Sequence, residues 1–206
     1  MKLYFAPGAC SISPHIALRE AELPFELVRV DLRAKRTTTG EDFWTVNPKG
    51  YVPALKLDDG QILTEASVVV QWIGDQKPET GLIPPAGTME RYRVQEWLAF
   101  IATELHKGFA PLYSALGSPE AKAATREKLA SRFSFLSKAV EDRPFLMGNT
   151  FTVADGYAFY TLRSWQRSVK PELPSASLAA YFDRIAARPA VRAALEAEAA
   201  AARPER

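Results

Sequence analysis

The stretch Asn47-Pro-Lys-Gly-Tyr-Val-Pro-Ala-Leu-Lys-Leu-Asp-Asp-Gly-Gln-Ile-Leu63 decides the fold. Within it, Leu55-Lys-Leu57 and Gln61-Ile-Leu63 alternate around Asp58-Asp59-Gly60. Asp-Gly tolerates positive φ, so the pattern predicts two antiparallel strands joined by a tight turn. Pro53 stands at the entrance to the first of them, where a residue without an N–H needs a reason. Either it is an ordinary trans proline at a strand start, or a cis Val52–Pro53 bond turns the backbone so that Val52 offers its amide and carbonyl to an extended peptide.

Upstream, Lys2–Ala6 and Glu26–Asp31 read as strands, and Ile16, Ala17, Leu18 and Leu23 suggest a helix between them. A short helix is expected around Glu41–Val46 and a longer one over Glu65–Gln76, which makes residues 1–80 a βαβαββα domain. Residues 77–87 then crowd three prolines and two glycines together, the punctuation of a linker. Beyond it Val94, Trp97, Leu98, Ile101 and Leu105 recur at helical spacing, and further helices are expected over 119–140, 152–168 and 175–187. Residues 88–206 therefore read as an all-helical domain, and the fold class is α/β followed by all-α. The helix starting near Pro189 runs into alanine-rich sequence with good helix propensity but little to pack, which predicts fraying.

Composition narrows the function. The 206 residues carry 26 basic and 24 acidic side chains, a net charge of +2, so no broad basic surface points to nucleic acid or an acidic membrane. No run approaches the ~20 apolar residues of a membrane span, and the opening Met-Lys-Leu-Tyr-Phe-Ala-Pro-Gly does not read as a signal peptide. One cysteine and two histidines support neither an intrachain disulfide nor a zinc site, so no metal is expected and a reducing cytoplasm is the natural setting.

Cys10 follows a strand and a Pro7-Gly8 turn and precedes Ser11-Ile-Ser-Pro14, in which serines can cap a helix and proline suits the first turn. Its sulfur is expected at a helix N-terminus, where unpaired amides favour a thiolate; the alternative is a small inert core cysteine. Cys10-Ser-Ile-Ser13 has one sulfur where a redox dithiol has two, so an external thiol would have to resolve any mixed disulfide. Thr64-Glu65-Ala66-Ser67 closes a strand and opens a helix. The amides of Ala66 and Ser67 could hold a carboxylate while Glu65 faces an ammonium, or Glu65 could simply be a first-turn acid that stabilises the helix. His106 extends the 97–105 helix beside small Ala102; it borders a cleft or is a satisfied surface side chain. Thr152-Val-Ala-Asp155 is a capping box, a folding feature. Among Phe109, Tyr113 and Trp165, which could line an apolar pocket, at least two are expected to pack in the core.

Taken together, Cys10, Ser11, Lys35, the 47–55 run, Glu65, His106 and Phe151-Thr-Val-Ala-Asp155 resemble the pattern of a bacterial cytosolic glutathione transferase of the beta, cysteine-type class, over essentially the whole chain. The resemblance implies a thioredoxin-like N-terminal domain that binds glutathione, a helical domain that shapes the site for a hydrophobic electrophile, and a homodimer. It implies a catalytic group of Cys10, His106 and Ser11, with Cys10 facing the glutathione sulfur. It also implies that Lys35 meets the glycyl carboxylate, that Val52 ahead of Pro53 pairs with the cysteinyl backbone, and that Glu65 and Ala66 hold the γ-glutamyl end. Glu104 of the neighbouring subunit is expected near that end. Phe5 stands where many relatives carry tyrosine, and Ala66 where other classes often carry serine. The activities implied are exchange with mixed disulfides through Cys10 and conjugation of glutathione. The competing reading is a non-catalytic module on the same fold, as in stringent-starvation regulators and elongation-factor subunits.

Overall fold

The computed structural model describes residues 1–202. Met1–Ile83 and the final helix form one compact unit, and Pro84–Ala187 form another. The division falls inside the proline-rich linker.

In the first unit, β1 (Lys2–Phe5) is followed by α1 (Ile12–Glu20), β2 (Glu26–Asp31), β3 (Arg36–Thr37), α2 (Phe43–Val46), β4 (Ala54–Lys56), β5 (Ile62–Thr64) and α3 (Ala66–Asp75). The sheet order is β3-β2-β1-β4-β5. Central β1 runs parallel to β2, with Leu3 opposite Leu27, and antiparallel to β4, with Leu3 opposite Leu55. Because side chains alternate along a strand, Tyr4 joins Val28, Val30 and Ala54 over Phe43, Val46 and Val52, while α1 and α3 pack together with Ile12, Ile16, Val69, Val70 and Ile73 buried. Each strand of the hairpin sits one residue farther from the turn than its pattern suggests: Ala54 pairs with Thr64, Lys56 with Ile62, and Leu57 N–H closes onto Gln61 O at 2.8 Å. Gly60 takes the φ of 88° that the turn needs.

Two differences from the sequence reading concern packing. The edge strand β3 is too short to show alternation, so only its pairing with β2 reveals it. The alanine-rich helix α9 (Pro189–Ala202) does not trail away but packs on α1, burying Val191, Ala194 and Glu198. Alanine lets two helices approach closely where a larger residue would hold them apart. Arg188, just ahead of α9, clasps Glu20 with both prongs of its guanidinium, at 2.6 and 2.7 Å.

The second unit holds α4 (Met89–Phe100), a π-helical turn (Ile101–His106) and a 3₁₀ turn (Lys107–Phe109), then α5 (Ala110–Tyr113), α6 (Pro119–Ala139), α7 (Val153–Ser168) and α8 (Ala176–Ala186). Helix α7 is its centre, with every residue from Val153 to Leu162 buried. Its start is fixed by Asp155, whose carboxylate accepts from Thr152 N–H at 2.8 Å, Thr152 Oγ1 at 3.0 Å, Leu146 N–H at 2.9 Å and Tyr181 Oη at 2.7 Å. The capping box is thus present and extends into the core. Burial lifts the Asp155 carboxyl above its ordinary range, against the pull of these hydrogen bonds. The Tyr181 phenol is raised by burial first and then by the Asp155 charge. Among the described residues no helix is long and apolar enough to cross a membrane.

Candidate functional site

The turn between β1 and α1 carries Cys10, which is partly exposed. Three contacts hold it in place. Ser11 is buried, and its Oγ accepts from Ala6 N–H at 3.2 Å and donates to Ala6 O at 3.3 Å, stapling the turn to the end of β1. Ser11 occupies the N-cap position of α1, yet its hydroxyl makes no cap bond to the helix; the cap expected from its residue type is replaced by this staple. Gly8 N–H donates to Glu198 Oε2 of α9 at 3.1 Å. The Cys10 thiol itself donates to the Val52 carbonyl at 3.3 Å.

That last contact brings together two residues 42 positions apart. Val52 is buried, and the Val52–Pro53 bond is cis, the second of the two alternatives open from sequence. Beside them Lys35 donates from Nζ to Gly50 O at 2.8 Å, with Trp44 and Tyr51 ring centroids at 5.5 and 5.8 Å from its ammonium. Such stacking favours a cation held over aromatic faces. Gly50 is required here: at φ 67° it has the Trp44 ring where a Cβ would stand, 2.7 Å away.

Glu65 closes β5 with φ 68°, a backbone that residues other than glycine seldom adopt and that clusters at functional sites. It occupies the N-cap of α3, ahead of the first turn, and its side chain makes no cap bond. Its carboxylate instead accepts from Lys49 Nζ at 2.8 Å, and Lys49 also reaches Thr64 Oγ1 at 3.1 Å. Ala66 and Ser67 are the first residues of α3, where amides lack intrahelical acceptors.

In the second unit, His106 ends the π-helical turn, and its Nδ1 lies 2.7 Å from Tyr157 Oη. Glu104, two residues earlier, accepts from Arg132 Nε of the same chain at 2.7 Å. Phe109 and Trp165 are buried, as core aromatics, whereas Tyr113 is exposed and bonded to Ser168 Oγ at 2.8 Å.

Residues 9–76 match the glutathione S-transferase N-terminal domain, and residues 100–189 match the C-terminal domain of the same family. The chain is 45% identical over 199 residues to glutathione S-transferase GstA of Escherichia coli O157:H7, covering 96% of this chain and 98% of that one. The chain belongs to the glutathione S-transferase family. Two solved structures of that family place it further. A sphingomonad glutathione S-transferase complexed with glutathione superposes with a TM-score of 0.93 at 46% identity, over 97% of this chain and 99% of that one. The bacterial beta-class transferase of Sphingomonas chungbukensis gives 0.91 at 46% identity, over 96% and 98%.

Within this glutathione S-transferase fold, sequence reasoning passed over four contributors. Trp44 and Tyr51 carry no motif, and their role depends on where Lys35 points. Lys49 could have been found, since it lies inside the 47–55 run. Glu198 was hidden in the alanine-rich helix, and its only signal was an acid among alanines.

Proposed function

We propose that this protein is a glutathione-dependent transferase whose Cys10 exchanges with glutathione mixed disulfides, with conjugation of glutathione to hydrophobic electrophiles as its second activity. The observation that carries this reading is the 3.3 Å contact between the Cys10 thiol and the Val52 carbonyl. An extended peptide that pairs with the Val52 backbone brings its own cysteinyl sulfur beside Cys10. The remaining groups suit the ends of that peptide. The Lys35 ammonium, held over Trp44 and Tyr51, meets the glycyl carboxylate. The α3 amides of Ala66 and Ser67 meet the γ-glutamyl carboxylate, and Glu65, which already accepts from an ammonium on Lys49, meets the α-amino group. Cys10 and His106 act on the reacting sulfur. The buried Ser11, its hydroxyl bonded to Ala6, supports Cys10 as a positioning residue.

In exchange, the Cys10 thiolate attacks the glutathione sulfur of a mixed disulfide, forming Cys10–S–S–glutathione and releasing the partner thiolate, which takes up a proton. A second glutathione thiolate attacks the glutathione sulfur of that adduct, releasing oxidised glutathione and regenerating the Cys10 thiolate. In conjugation, the glutathione thiol loses its proton and its sulfur forms a carbon–sulfur bond to the electrophile, which expels its leaving group or, in an addition, takes up a proton, while the site holds the two in reach. A homodimer is part of the same reading. Met89 and Tyr92 on α4 and Phe135 on α6 are exposed apolar side chains of the kind a second copy would cover, and Glu104 is proposed to serve the partner's site, exchanging its Arg132 contact to do so. Glutathione and its electrophile or mixed disulfide are the small partners, and the cytoplasm is the proposed compartment.

Cys10→Ala is expected to abolish mixed-disulfide reduction while the protein still binds glutathione-agarose and elutes with free glutathione. Full reductase activity in Cys10→Ala would overturn the exchange mechanism. Failure of the wild type to bind the resin would favour the non-catalytic module instead.

A further inference from the structure

We propose that Tyr157 is a positioning residue that sets the tautomer of His106, making the neutral imidazole a hydrogen-bond donor through Nε2. The inference rests on the reading above, in which His106 serves the reacting sulfur. Its own basis is geometric. Tyr157 Oη and His106 Nδ1 are 2.7 Å apart, within the range of hydroxyl donors and shorter than the usual 2.9–3.0 Å of an N–H donor. A phenol is a better donor than a neutral imidazole N–H, and an imidazole nitrogen is a better acceptor than a phenolic oxygen. The hydroxyl therefore donates to Nδ1, and the single imidazole proton resides on Nε2.

The surroundings fix that arrangement. Tyr157 is 3% exposed on the most buried helix of its unit, so its hydroxyl is held rigidly. Tyr160, one turn along α7, meets the imidazole edge to face at a centroid distance of 4.9 Å, and Tyr157 does so at 5.8 Å. His106 itself comes from a π-helical turn, an uncommon geometry often found at functional positions. A donor of this kind stabilises a sulfur anion without the imidazole having to be protonated. It also explains why a tyrosine with no place in the glutathione-binding set is aimed at the histidine.

The chain has only two histidines, so the imidazole nitrogens can be followed by ¹⁵N NMR with His15 as an internal reference. In the wild type, neutral His106 is expected to show a protonated Nε2 and an unprotonated Nδ1. Tyr157→Phe should turn this into a tautomer mixture, leave the His15 signals unchanged, and slow mixed-disulfide reduction about fivefold in kcat, the weight of one hydrogen bond, with KM for glutathione unchanged. In a His106→Ala background the same substitution should cost nothing further. A wild-type imidazole protonated on Nδ1 overturns the proposal, and that measurement needs no variant to fold. So does a Tyr157→Phe variant that keeps the wild-type tautomer and rate, or one that loses activity equally in the His106→Ala background. A slow His106→Ala beside an unaffected Tyr157→Phe overturns only the role of Tyr157, whereas a fully active His106→Ala overturns the role of His106 as well.

Discussion

Among the described residues two carboxylates are buried, and they are held in opposite ways. Asp155, in the helical unit, is saturated by Thr152, Leu146 and Tyr181. Glu198, in the first unit, accepts one hydrogen bond from Gly8, while its Oε1 faces His15 Nδ1 at 3.6 Å with neither atom hydrogen-bonded. Arg19 Nε donates to His15 Nε2 at 2.9 Å, which puts the imidazole proton on Nδ1, toward Glu198. A saturated carboxylate locks a fold in place. One with slack, tied to the turn that carries Cys10, holds that turn at a single point.

The largest expected effect breaks the saturated side. Asp155→Ala strands the buried donors of Leu146, Thr152 and Tyr181 and removes a cap, so unfolding in urea should show a loss of about 3 kcal/mol or more. A loss below about 1 kcal/mol would mean that the network is not what starts α7. The sign of the pH dependence sharpens the same point. Because burial raises the Asp155 pKa, the folded state holds its proton more tightly than the unfolded chain. Its contribution is fullest below the ordinary aspartate value of 3.8 and declines as pH rises through the raised value. The stability of wild type over Asp155→Asn should therefore shrink along that rise, in urea titrations at a series of pH values.

On the slack side, Glu198→Ala removes a single hydrogen bond and should cost about 1–2 kcal/mol. It should also slow alkylation of Cys10 by iodoacetamide, because the Gly8 amide loses this acceptor two residues before the cysteine. Glu198→Gln keeps an acceptor for Gly8 and should restore most of the rate; equal rates in all three proteins would detach α9 from the site. The smallest effect belongs to the exposed pair. Lys49→Ala should change stability by no more than about 0.5 kcal/mol, since solvent-exposed ion pairs contribute little. A larger loss in a melting experiment would show that the Glu65 backbone, at φ 68°, depends on Lys49.

Much of the first unit was legible because its signals are local. Asp58-Asp59-Gly60 bends the chain where Gly60 adopts φ 88°, and the strand-turn-helix pattern around Cys10 needs no distant partner to be read. The cap of α7 was visible for the same reason, since Thr152 and Asp155 are three residues apart. Ser11 shows where local reading fails: it has the residue type of a cap and the position of a cap, but its hydroxyl turns back to Ala6.

What the sequence by itself determined is therefore the order of elements, the linker, a cysteine at a helix start, and a resemblance dense enough to imply the family. Its alternations and spacings are properties of neighbouring residues, and backbone geometry converts them directly into strands, helices and caps. Only the tertiary structure decided that the Cys10 thiol meets Val52, that Glu198 reaches Gly8 across 190 positions, and that Tyr157 meets His106. Those pairings depend on where side chains point once helices have packed, and no local spacing encodes that direction.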